Sequence, residues 1–195
     1  MNEDDFDEDG IPLSPASDII QDLLYFIGED PTREGLRETP ERVLKAWRHW
    51  TSGYHKIPCN ILKTFEDGGE NYDQMVVVKD IPFYSMCEHH LAPFFGTATI
   101  AYLPNRRVVG LSKLSRLLDA FARRLQVQER LTTQVADCLQ KHLRPKGAGV
   151  MLKARHLCME SRGISQQGHF TITSALRGEF MTDHKVRDEF LSIAR

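Results

Sequence analysis

The segment from Ser112 to Leu143 holds no glycine or proline, and its apolar residues recur at helical spacing in two separate stripes. Leu114, Leu117, Leu118, Phe121 and Leu125 make the first stripe. Leu131, Val135, Cys138 and Leu139 make the second, after a jump of six residues. One straight helix cannot turn both stripes toward the same core, so the spacing predicts a break near Gln126–Gln128 and two consecutive helices. Two amphipathic helices need an apolar surface to cover, and the flanking sequence supplies strands for it. QMVVVKDIPFYS (74–85), GTATIAYLP (96–104) and RVVGLS (107–112) are β-rich and punctuated by Pro, Gly and Asn. PKGAG then turns the chain into VMLKARHLCM (150–159), which pairs with HFTITSALRGEF (169–180), and a short last helix starts near Thr182–Asp183. The expected class is α+β: an antiparallel sheet backed by two consecutive helices, with a helical N-terminal extension.

In that extension Ile19, Ile20, Leu23, Leu24 and Ile27 share one helical face, which stops at Gly28. DPTREGLRETP reads as a loop. Thr39 is placed as an N-cap with Pro40 at the first helical position, ahead of a stripe of Val43, Ala46, Trp47 and Trp50. EDGGEN (66–71) supplies turn chemistry. The expected organisation is an acidic disordered tail over 1–14, the helical extension over 15–73 and a catalytic domain over 74–195.

Charge and cysteine usage narrow the chemistry. The chain of 195 residues has a net charge of −2, but the acidic residues of MNEDDFDEDG account for more than that, so the body is net positive. A mildly basic body suits an anionic small molecule, and no basic run is long enough to track a nucleic-acid backbone. No apolar run reaches the roughly 18 residues of a membrane span, and the N-terminus lacks the basic and apolar regions of a secretory signal. A cytoplasmic protein with no membrane or nucleic-acid partner is the expectation. Four cysteines are too sparse for a disulfide framework in a chain of this size. Cys138 falls on an apolar stripe and reads as core; Cys59 has no partner motif.

The other two cysteines sit among histidines. Cys87 and His90, in CEHH, are three apart, so both side chains can reach one ion from a tight turn. In ARHLCME, strand alternation puts His156 and Cys158 on one face. Thiols with imidazoles favour Zn2+ over Mg2+ or Ca2+. Five residues compete for the ion: Cys87, His89, His90, His156 and Cys158. Neighbouring His89 and His90 diverge, so Cys87, His90 and Cys158 are favoured, with His89 and His156 unligated beside them. Three protein ligands would leave an open catalytic position; four would close the site.

GLSKLSR opens the first of the two helices. Ser112 is placed as its cap, and Lys113 and Arg116, one turn apart, can converge on a polyphosphate. Arg162, next to the cysteine–histidine segment, and Arg42 in TPERV add cations. Glu129, at the expected break, either caps the second helix or accepts paired hydrogen bonds from a guanine.

CEHH (87–90), GLSK (110–113), QVQERLT (126–132), HLCMESRG (156–163) and TPERV (39–43) together resemble the GTP cyclohydrolase I family, from about residue 16 to the C-terminus. Ser161, before Arg162–Gly163, and the acidic tail depart from its pattern. The resemblance implies Zn2+ on Cys87, His90 and Cys158, proton transfer by His89 and His156, and guanine binding by Glu129. It implies triphosphate contacts from Arg42, Ser112, Lys113, Arg116 and Arg162. It further implies a tunnelling fold (T-fold), a toroidal homodecamer with active sites shared between subunits, and hydrolysis of GTP at guanine C8. Formate and 7,8-dihydroneopterin triphosphate would be the products, in the first step of pterin and tetrahydrofolate biosynthesis.

Overall fold

The computed structural model describes residues 14–66 and 71–195. Residues 1–13 of the expected acidic tail (1–14) and most of the EDGGEN turn (67–70) lie outside the described residues, while Ser14 already belongs to the first helix. The chain divides into two compact units between His49 and Trp50.

Among the described residues, the first unit carries two α-helices. α1 (Ser14–Phe26) ends where expected, with Gly28 at φ 89°, a left-handed position that glycine fills without a Cβ clash. Leu24 is buried, whereas Ile19, Leu23 and Ile27 of the same apolar face are exposed, as is Phe26 beside them. The expected loop holds one 3-10 turn at Glu34–Leu36, and α2 (Thr39–Trp50) starts at the Thr-Pro pair.

The second unit begins with two 3-10 turns, Ser52–His55 and Pro58–Ile61, and contains the strands. β1 (Thr64–Phe65) pairs with β4 (Val108–Val109) in a two-stranded ribbon. β2 (Val76–Cys87) and β3 (Ala92–Leu103) form a long antiparallel hairpin. A register shift lies between Val78 and Ile81, where Asp80 takes a left-handed φ of 57°. β6 (Gly147–His156) pairs antiparallel with β3, and β7 (Thr171–Gly178) with β6. β5 (Leu125–Gln126) adds a parallel edge to β2, giving the order β5-β2-β3-β6-β7.

The expected break is real. α3 (Leu111–Ala122) and α4 (Gln128–His142) flank β5, and the sequence between them is just long enough to touch the sheet edge and start again. Both apolar stripes then face one core. Leu114, Leu117 and Leu118 from α3 and Leu131, Val135 and Leu139 from α4 pack with Phe83, Phe94, Ile100 and Leu152 of the sheet. Cys138 belongs to this core, and burial pushes its thiol up to about 11. A second cluster, Ala101, Leu103, Phe180 and Phe190, joins the sheet to α6 (Glu179–Thr182) and α7 (His184–Ala194). Asp183 caps α7 by accepting from the Lys185 and Val186 amides.

Three local expectations are corrected. Gly110, not Ser112, is the N-cap of α3; Ser112 lies inside the first turn. Val127 is the N-cap of α4, with no side-chain cap, so Glu129 lies in the first turn. The strand carrying Cys158 ends at His156, and Leu157–Glu160 form one helical turn, α5. Arg155 and Glu160 explain this turn. They make a two-bond ion pair, 3.0 Å at Nε, that a strand would hold about 16 Å apart.

Candidate functional site

The end of β2, the turn after it, the end of β6 and α5 bring the cysteines and histidines together. At the turn, the His90 and Leu91 amides both donate to Cys87 O, and Leu91 adopts φ 50°. A left-handed leucine is strained backbone, and here it reverses the chain directly behind the ligand candidates. The turn is tied down from outside. The Glu88 amide donates to Gln126 O, and Arg130 Nη1 and Nη2 grip the Glu88 carboxylate at 2.6 and 2.7 Å. This guanidinium holds the Glu88 carboxyl below the ordinary range.

Cys87 Sγ, a ring nitrogen of His90 and Cys158 Sγ lie within 4.8 Å of one another. Cys87 is buried, Cys158 half-buried and His90 exposed, so the three atoms form a shallow, soft-donor cup open on one side. Cys158 reaches it from α5, by a helical turn instead of the expected strand face. Burial and the neighbouring Cys87 sulfur raise the Cys158 thiol, as expected for two sulfurs close enough to share a cation. His90 Nδ1 is 3.7 Å from Cys87 Sγ, and its Nε2 accepts from Arg162 Nη1 at 3.0 Å. His89 Nδ1 is 4.0 Å from the same sulfur, but the ring is turned 77° from that of His90 and is exposed.

His156 is held apart from this cup. Its ring stacks on Phe94, centroids 4.7 Å apart and planes within 2°. Its Nε2 lies 2.7 Å from Gln128 Oε1. The buried Gln128 directs Nε2 to Leu152 O, Thr171 O and Thr173 Oγ1. That end of the amide is therefore the NH2, and Oε1 is an acceptor for His156 Nε2–H. The neutral ring then keeps its lone pair on Nδ1. Burial lowers the His156 pKa, which favours this neutral form. Sequence reasoning missed Gln128, Arg130 and the Glu88 carboxylate; their roles come from burial and pairing that no spacing announces.

The remaining candidates fall elsewhere. Glu129 is exposed in the first turn of α4, adjacent in sequence to Gln128. Lys113 and Arg116 line a groove of about 600 Å³ with Asp119 and residues of the Lys56–Lys63 segment. Ser112 is exposed beside it on α3. Arg42 belongs to the first unit, on α2, where it pairs with Glu38.

A model of the family described as GTP cyclohydrolase I matches residues 16–195. Curated relatives carry the name GTP cyclohydrolase 1. One from Janthinobacterium sp. (strain Marseille) is 62% identical over 173 residues, covering 89% of this chain and 87% of that protein. One from Nitrosospira multiformis is 63% identical over 174 residues, covering 89% and 91%. One from Aquifex aeolicus is 55% identical over 173 residues, covering 89% and 91%.

Proposed function

The chain belongs to the GTP cyclohydrolase I family, and from that membership we propose that it opens the guanine ring of GTP at C8 around a zinc ion held by Cys87, His90 and Cys158. It is a GTP cyclohydrolase, acting at the first step of pterin and folate biosynthesis. The antiparallel sheet backed by α3 and α4 is the T-fold architecture that membership implies. The observation that carries the metal reading is the convergence of two thiols and an imidazole within 4.8 Å. Zinc held by Cys87, His90 and Cys158 would supply Lewis acidity, which lowers the pKa of water.

The protein's own side chains do the rest. Glu129 accepts from guanine N1–H and the exocyclic amine, fixing the base so that C8 meets the metal cup. His156 presents Nδ1 as its working atom, because Nε2 is committed to Gln128. His89, exposed beside the cup, moves the second proton through ring opening and loss of formate. Arg42, Ser112, Lys113, Arg116 and Arg162 bind the triphosphate, and the product is 7,8-dihydroneopterin triphosphate.

We further read the protein as a cytoplasmic homo-oligomer, a decamer with active sites shared between chains, built from a helical extension (15–73) and a catalytic domain (74–195). The exposed apolar face of α1 supports assembly, since Ile19, Leu23 and Ile27 are left uncovered by a single chain. No helix among the described residues is long and apolar enough to cross a membrane.

Metal analysis tests the ligand set. Wild-type protein is expected to hold about one zinc per chain, and Cys158→Ala to lose most of that zinc together with formate release from GTP. Full turnover by a zinc-free Cys158→Ala protein would sink the assignment.

A further inference from the structure

The groove on α3 carries more positive charge than its helix alone accounts for. Lys113, Arg116 and Asp119 follow one another at three-residue spacing on one face of α3, and Lys56, Asn60 and Lys63 line the opposite wall. Asp119 is the one carboxylate among these lining residues, and it is already engaged: Lys56 Nζ reaches it at 3.0 Å and Arg123 Nε at 2.6 Å. Among the described residues, Lys63, Lys113 and Arg116 have no carboxylate partner within ion-pair distance. Three such cations around one cavity of about 600 Å³ repel one another until an anion enters.

Lys63 is also placed by the fold. Leu62 packs against the main core, and Lys63 follows the 3-10 turn Pro58–Ile61. The next residue, Thr64, pairs with Val109, and Gly110 then caps α3. The β1–β4 ribbon therefore fastens Lys63 beside the start of the helix that carries Lys113 and Arg116.

We propose that Lys63 is a further substrate-binding residue, holding the phosphate chain of the nucleotide from the wall opposite α3. The inference rests on GTP being the substrate, and it adds a contact that the helix cannot supply. Lys113 and Arg116 reach the phosphate chain from α3 alone, and a cation across the groove lets the chain be held from both sides. Lys56 has a different part, because its ammonium is spent on Asp119.

Steady-state kinetics with GTP and calorimetric titration with inorganic tripolyphosphate test this on full-length wild type, Lys63→Ala and Lys63→Arg. Lys63→Ala should raise KM for GTP and weaken tripolyphosphate binding by roughly tenfold, with kcat changed by less than about twofold. Lys63→Arg should recover most of both losses. Wild-type KM and wild-type tripolyphosphate affinity in Lys63→Ala would overturn the proposal. Absence of formate release by the wild type would count against the functional reading instead, and the tripolyphosphate titration would still decide on Lys63.

Discussion

Gln128 is one residue away from Glu129 in the chain, yet the two face different tasks. Gln128 is buried and uses both ends of its amide, giving hydrogen bonds to β6 and β7 and taking one from His156. Replacing it with leucine removes the acceptor that orients the imidazole while leaving the residues proposed to bind the base and phosphates in place. Gln128→Leu is therefore expected to lower kcat by roughly 10–100-fold with KM for GTP changed by less than about twofold. A matching rise in KM with kcat intact would show that Gln128 serves binding and not the histidine. The cysteine and histidine ligand candidates were legible in the sequence because soft donors at short spacing have few other uses in a chain without disulfides. Gln128 was not legible: a glutamine at a helix start is ordinary until the fold buries it against a histidine.

At the scale of elements, the phase jump between two apolar stripes was enough to place the break between α3 and α4. What filled the break was not visible. β5 is two residues long, too short for any periodicity, and exists only because Met86 and Cys87 offer it an edge. The same limit hid α5, since one turn of helix has no pattern and is set by the Arg155–Glu160 pair. The ladder that delivers His156 depends on one close approach. At Gly96 a Cβ would stand 1.9 Å from the carbonyl oxygen of Lys153, in the β3–β6 pairing that also joins Phe94 to His156. Gly96→Ala is expected to destabilise the protein by about 2 kcal/mol or more, as a backbone shift is the only relief. Urea unfolding measures it, and an unchanged midpoint and slope would mean that β3 and β6 separate freely at that point.

For the whole molecule, one unit holds the cysteine–histidine cup, His156, Glu129 and the cationic groove, while Arg42 belongs to the other. Sequence spacing could nominate Arg42 beside Lys113 and Arg116, but the fold of either unit alone does not bring them together. The apolar face of α1 shows the same limit: its period was plain in the sequence, but not that Ile19, Leu23 and Ile27 would stay exposed. The central claim is that this chain is a GTP cyclohydrolase whose chemistry needs zinc on Cys87, His90 and Cys158. Its most direct test is GTP turnover with formate and the pterin product both quantified, before chelation, after chelation and after zinc is restored. Formate and pterin in equal amounts, lost with the metal and regained with zinc, are the predicted result. Undiminished release of both from protein shown to be metal-free would contradict the account.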